Sequence, residues 1–419
     1  MSIKLRLSIL NFLEYAVWGA YLTSMGSWLA SIGLGDKIGW FYAMQGFVSI
    51  FIPPLMGMVA DRWIPAQRLL GICHALAAAF LALAGYVGMQ SGSSVDFATL
   101  FSLYSLSMAF YMPTIALSNS VAYSILLKNG EDTVTAFPPI RTIGTIGFIL
   151  AMLFVDFTGF QNTYAQFFTS AALGILMFFY TFTLPTVPIS SSPDKASLSK
   201  AFNIEAFSLF RNSRMAVFFI FSMLLGVSLQ ITNGYANPFI TSFKEIPEFA
   251  DTWGANHANA LISLSQISET LCILLIPFFL KRFGIKIVML IAMFAWFLRF
   301  ALFAAGDPGP GLPFFILSML VYGVAFDFFN VSGSLYVDRE TPANLRSGAQ
   351  GIFMMMTNGF GATLGMLGAQ LVVNHFVYSQ ETPADQLGGW RISWMIFASY
   401  AFAVGLLFLL VFKDKPKVS

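Results

Sequence analysis

Apolar residues run along this chain in blocks of about twenty, the length that carries a helix across roughly 30 Å of hydrocarbon. Short polar or basic segments separate the blocks. The pattern predicts twelve membrane helices, at approximately 7–33, 39–60, 67–90, 97–127, 139–159, 164–185, 214–241, 256–280, 286–305, 312–337, 346–375 and 391–412. One longer polar stretch, 186–213, is rich in Ser, Pro and charge and parts the blocks six and six. The expected fold is therefore an all-α membrane protein: an N-terminal six-helix bundle over 1–185, a cytoplasmic linker over 186–213, and a C-terminal six-helix bundle over 214–419 with a short cytoplasmic tail. Short basic loops recur at matching places, DRWIPAQR (61–68) after the second block and KRFGIK (281–286) after the eighth. A parallel repeat of six helices is a transporter layout that holds its solute near the bilayer midplane between the halves.

Composition sharpens this picture. The chain is 57% hydrophobic and only 10% charged, against about 25% charged in soluble domains. Lys4, Arg6, Arg62, Arg68, Lys128, Lys195, Lys200, Arg211, Arg214, Lys281, Arg282, Lys286, Arg339, Arg346, Lys413, Lys415 and Lys417 fall on one side of the predicted layout, and Lys37, Lys244 and Arg391 on the other. That asymmetry predicts both termini in the cytoplasm. With the basic residues acting as orienting anchors, the net charge of +2 gives no reason to expect nucleic acid as a partner. The N-terminal run, MSIKLRLSILNFLEYAVWG, is too long and lacks a small-residue cleavage site, so it is expected to be a first membrane helix. Cys73 and Cys272 lie in separate blocks as small apolar fillers. No metal site, cofactor motif or catalytic set stands in a credible context, so an enzyme is not expected.

What remains is charge where charge is costly. Glu14, Glu269 and Asp327 sit inside apolar blocks and Arg141 opens another; such residues normally face water-filled cavities and mark solute or proton pathways. Gln230 and Asn233 are three residues apart, as are Gln266 and Glu269, and Asp327 and Asn330; Arg141, Thr145 and Phe148 fall at i, i+4 and i+7. Residues so spaced share one helical face. Amides, a hydroxyl, a guanidinium and carboxylates beside Phe148 and Phe326 suit a solute with one flat face and several polar edges, such as a nucleobase joined to a sugar. The plainer reading is that membrane amides stitch helices together at about 0.6 kcal/mol a contact, and that Phe148 and Phe326 are two among 46 phenylalanines. His74 is expected to be a hydrogen-bonded core residue, and Arg299, toward the outer end of the ninth block, to snorkel. Three buried carboxylates against Arg141 and Arg299 leave one without a cation. Such a group, Asp327, Glu269 or Glu14, is the expected carrier of a coupling proton.

The segment GMVADRWIPAQR, with Gly57, Asp61, Arg62 and Arg68, resembles the loop signature of the major facilitator superfamily, although Ile64 stands where that signature usually has glycine. FPPIRTIGTIGF (137–148), FFIFSMLLGVSLQITN (218–233), SLSQISETLCILLIPFFLKRFGIK (263–286), VYGVAFDFFNVSGS (321–334) and AQGIFMMMTNGFG (349–361) resemble bacterial nucleoside permeases of the NupG type, in the nucleoside:proton symporter family of that superfamily. The likeness runs from the first helix to the twelfth. It implies a monomeric inner-membrane importer of purine and pyrimidine nucleosides, uridine and adenosine among them, driven by the proton gradient with no other cofactor. It places the family's binding positions on Arg141, Thr145, Phe148, Gln230, Asn233, Gln266, Glu269, Phe326 and Asp327. It implies sugar contacts for the carboxylates and base contacts for some of the amides and aromatic rings. One departure is Glu14, in FLEYAVWG, where the resembling permease has glutamine; an added carboxyl there is expected to face the cavity or to pair with Arg141. A proton-linked sugar carrier shares this architecture and stays open as an alternative; a receptor or channel is the more distant one.

Overall fold

The computed structural model describes residues 2–189, 204–342 and 345–413, apart from the side chains of Ser93 and Val134. Residues 190–203 of the 186–213 stretch and the end of the C-terminal tail lie outside the described residues. The chain divides into two compact helical units, Met1–Phe202 and Asn203–Ser419.

In the first unit, Ser2 caps helix α1 (Ile3–Gly19) by accepting from the Leu5 amide at 3.3 Å. The first predicted span is interrupted by turns after Gly19 before resuming as the short α2 (Met25–Ser31). Then come α3 (Ile38–Arg62), α4 (Ala66–Ser91), α5 (Phe97–Lys128), α6 (Thr133–Phe157) and α7 (Ala165–Thr181). Helix α6 starts before the expected 139, so that Pro138 and Pro139 lie within the helix rather than at its boundary. Arg141 consequently stands two turns into α6 instead of at its mouth. Close approach of α1 and α6 needs glycine: a Cβ on Gly147 would collide with the Phe12 carbonyl, and one on Gly19 with the Phe148 carbonyl. Without a hydrophobic force between membrane helices, small residues that let backbones touch supply the packing. Helix α7 joins this pair through Ser170, which donates to the Val17 carbonyl at 2.7 Å, and Tyr180, which donates to the Arg6 carbonyl at 2.9 Å.

The second unit opens with α8 (Ser213–Ser242), capped by the Asn212 side chain. Helices α9 (Ala258–Cys272) and α10 (Ile276–Ala305) run nearly head to tail, and α10 is itself a short and a long helical piece joined at Gly284, whose φ of 78° breaks the helix. That left-handed turn, easy for glycine alone, sits within the KRFGIK loop and separates the eighth and ninth predicted spans. Helix α11 (Leu312–Glu340) follows, then α12 (Arg346–Met354), a π-helical stretch (Met355–Gly361), α13 (Ala362–Val373) and α14 (Pro383–Val411). The wide turn at Met355–Gly361 faces α8, where Gly226 leaves room for the Thr357 carbonyl. Aromatic side chains pack between α10 and α14, with Phe303 stacked on Trp394 at 4.6 Å.

Among the described residues nine helical runs are long and apolar enough to cross a membrane, and the Ala258–Ala305 run contains two of the predicted spans. With the interrupted first helix and the shorter α7, the twelve expected segments are all helical.

Candidate functional site

Each unit carries its own set of the residues singled out in the sequence. In the first, the three positions on α6 do share a face. The Arg141 guanidinium lies 3.8 Å from the centroid of the Tyr15 ring, a cation over the negative face of an aromatic. Phe148 is buried and meets Trp18 edge-on at 6.3 Å. Thr145, half-buried, lies between them in the register of α6. Tyr15 and Trp18, three apart on α1, were not among the expected site residues; their spacing within EYAVW is the signal that a polar face on α1 meets one on α6. Arg141 and Glu14 do not form the expected alternative ion pair.

Glu14 does not join that set. Its side chain is fully buried, with Oε2 2.9 Å from His74 Nε2 on α4 and Oε1 2.6 Å from Thr114 Oγ1 on α5. Its backbone carbonyl accepts from the Tyr111 hydroxyl at 2.9 Å. His74 is the hydrogen-bonded core residue expected of it.

In the second unit, Asn233 Nδ2 donates to Gln230 Oε1 at 2.5 Å across one turn of α8, so the two amides present a joined donor and acceptor surface. Deeper on the same helix, Asn237 donates to Asn259 at 2.8 Å and accepts from Thr241 at 2.9 Å, which is the helix-stitching use of amides. Gln266 on α9 is hydrogen-bonded to Tyr322 on α11, and Glu269, Asp327 and Arg299 all lie within electrostatic range of that tyrosine. The Tyr322 ring stacks on Phe326 at 5.6 Å with 14° between planes. Phe326 is thus part of a layered aromatic shelf. Asp327 is 6% exposed. Asn330 donates to the Phe326 carbonyl at 2.9 Å, which ties its amide to its own helix. A small cavity touches Trp296, Phe326, Phe329, Asn330 and Thr357, beside the π-helical turn.

Arg299 departs from expectation. It does not snorkel: it is 1% exposed, donates to the Ser318 carbonyl at 2.7 Å and to Ser265 Oγ at 3.3 Å, and lies 4.5 Å from the Tyr322 centroid. Burial costs the guanidinium its hydration, and hydrogen bonds with aromatic faces replace it. Tyr322 is the residue missed in sequence; its place three positions after Met319 and four before Phe326 carries no distinctive signal. Among the described residues no group of three or more His, Cys, Asp or Glu converges as a metal site.

Three comparisons bear on what such a molecule is. The family model described as nucleoside H+ symporter matches residues 1–417. The nucleoside permease NupG of Escherichia coli (strain K12) is 45% identical over 418 residues, which cover 99% of this chain and 97% of the permease. The xanthosine permease of the same organism is 42% identical over 416 residues, covering 99% and 96%. The crystal structure of the nucleoside transporter NupG superposes with a TM-score of 0.90 at 44% identity, covering 99% of this chain and all of that one. A D-xylose-proton symporter at 14% identity superposes with a TM-score of 0.71 over 99% and 98% of the two chains, a likeness of fold alone. The chain belongs to the nucleoside H+ symporter family and is a multi-pass membrane transporter of the major facilitator fold.

Proposed function

We propose that this protein imports purine and pyrimidine nucleosides together with protons, by alternating access, as a monomer in a bacterial inner membrane with both termini in the cytoplasm. The observation that carries the reading is the full-length family match, residues 1–417. The geometry supports it. The Tyr322–Phe326 stack is a flat apolar platform of the size of a base. The joined amides of Gln230 and Asn233 offer both a donor and an acceptor to base edges, and Gln266, Glu269 and Asp327 offer acceptors to sugar hydroxyls. Arg141, Thr145 and Phe148 are the proposed contacts from the first unit. The energy source is the proton gradient: 100 mV supplies about 2.3 kcal/mol per charge moved inward, enough for roughly fifty-fold accumulation of a neutral solute. Asp327 or Glu269 is the proposed proton carrier.

Uptake of labelled uridine into proteoliposomes, with adenosine, guanosine, xanthosine and ribose as competitors at two pH values, tests this directly. Competition by nucleosides but not ribose, with uptake rising under an inward proton gradient, is expected. Competition by ribose alone would make the protein a sugar carrier instead.

A further inference from the structure

The contacts around Glu14 carry more than its burial. Thr114 Oγ1 lies 2.6 Å from Glu14 Oε1 and also 2.6 Å from the backbone carbonyl of Tyr111. A hydroxyl has one hydrogen, and a backbone carbonyl can only accept. Each short contact has a hydrogen of its own, rather than one shared between two acceptors, when Thr114 donates to the Tyr111 carbonyl and Glu14 Oε1 donates to Thr114. That requires a hydrogen on Oε1. The other carboxyl oxygen, Oε2, then accepts from His74 Nε2–H at 2.9 Å, which fixes the neutral histidine in one tautomer. Nδ1 becomes the acceptor; it meets no protein donor and borders a small cavity lined also by Tyr21, Ser107, Met108, Tyr111 and Ser170.

The surroundings agree with a neutral pair. Glu14, His74 and Thr114 are each fully buried, and the cost of desolvating both charges weighs against a carboxylate–imidazolium pair there. The ionisable groups beside the pair are Cys73 on α4 and Tyr111 on α5, and Tyr111 in turn lies within electrostatic range of Tyr15 and Tyr21, from the first predicted span, and of Arg141 on α6. The single cation among them, Arg141, is engaged over the Tyr15 ring.

We infer that Glu14 is a resident proton site: a neutral carboxylic acid hydrogen-bonded between Thr114 and His74, joining α1, α4 and α5, whose proton stays on the protein while the coupling proton is carried in the second unit. The last clause rests on the proposed symport; the location of the proton does not.

Infrared difference spectra of the purified full-length protein, parent minus Glu14→Gln, locate it. The expected result is the carbonyl stretch of a protonated carboxyl in the parent, shifted in deuterium oxide, absent from the variant and unchanged on adding uridine. Glutamine preserves both hydrogen bonds, since its amide nitrogen donates to Thr114 and its oxygen accepts from His74. The midpoint of the uptake pH profile is therefore expected to match that of the parent. A carboxylate band assigned to Glu14, or a protonated band that comes and goes with uridine, would overturn the inference. Should Glu14→Gln fail to fold, nitrogen-15 spectra of histidine-labelled parent protein give the same answer: neutral His74 protonated on Nε2 supports it and an imidazolium ends it. Absence of any uridine effect on uptake or spectra would count against the nucleoside reading while leaving the Glu14 assignment standing.

Discussion

Arg299 and Tyr322 form a stacked pair inside the second unit, the guanidinium 4.5 Å from the ring centroid, and this pair is what fixes the aromatic shelf. Tyr322 holds Phe326 on one side by stacking, and its hydroxyl is bound to Gln266. Arg299 in turn is anchored by the Ser318 carbonyl, and Ser318 Oγ donates back to the Arg299 carbonyl at 2.9 Å. A planar guanidinium can stack and donate in two directions together; an ammonium cannot.

Arg299→Lys is therefore expected to be far from conservative. Losing the desolvated stack costs about 2 kcal/mol. Thermal unfolding in detergent should show a lowered midpoint, and the stabilisation conferred by added uridine should shrink, because Phe326 loses its backing. A variant that melts with the parent and keeps the full uridine shift would detach Arg299 from the shelf.

Gly147 tests the helix contact in the first unit. Its hypothetical Cβ meets backbone, the Phe12 carbonyl, which cannot swing aside as a side chain would. Gly147→Ala is expected to force α1 and α6 apart at a cost of about 1–3 kcal/mol. Gly368, in α13, has open space around it, and there alanine should be neutral or stabilising by up to about 1 kcal/mol. Comparing the two melting midpoints separates steric collision from a general intolerance of glycine replacement.

Asp96 offers a pH-dependent test outside the membrane spans. It caps α5, accepting from the Thr99 hydroxyl at 2.7 Å and the Thr99 amide at 2.9 Å, and these bonds hold its carboxyl below the usual carboxylate range. A lowered folded value means the cap stabilises fully above the ordinary aspartate range and loses its effect as pH falls through the folded value. Asp96→Ala should accordingly melt lower than the parent at neutral pH, with the gap closing in acid. A gap independent of pH would show that ionisation of the cap contributes nothing.

The spans were legible because apolar blocks of membrane length need no partner to be recognised. Their internal breaks were less so. The Gly284 turn fell between two predicted spans, but the interruption after Gly19 has no proline to announce it, only the small polar residues Thr23, Ser24 and Ser27 inside an otherwise apolar block. Likewise the Gln230–Asn233 contact follows from a three-residue spacing on one helix. Glu14 and His74 are 60 residues apart, and Arg299 and Tyr322 pair across two helices, so periodicity along the chain carried no trace of either contact. Charge alone marked Glu14 and Arg299 as unusual; only packing shows that one is enclosed in a hydrogen-bonded trio and the other in an aromatic cage.

That distinction bears on the carboxylate that moves the proton. With Glu14 enclosed by His74 and Thr114, the coupling role is proposed for Asp327 or Glu269, both in the second unit and both within electrostatic range of Tyr322. Asparagine keeps the size and hydrogen-bonding reach of aspartate but cannot exchange a proton. Asp327→Asn is expected to abolish uphill accumulation, from roughly fifty-fold at 100 mV to equality across the membrane. It should leave exchange of internal for external uridine measurable, because exchange needs no net proton movement. Assaying both in the same proteoliposomes discriminates among outcomes. Loss of accumulation with retained exchange assigns the proton to Asp327. Loss of both makes Asp327 a substrate contact first. Full accumulation would remove it from the mechanism and pass the role to Glu269, where Glu269→Gln should then give the split response.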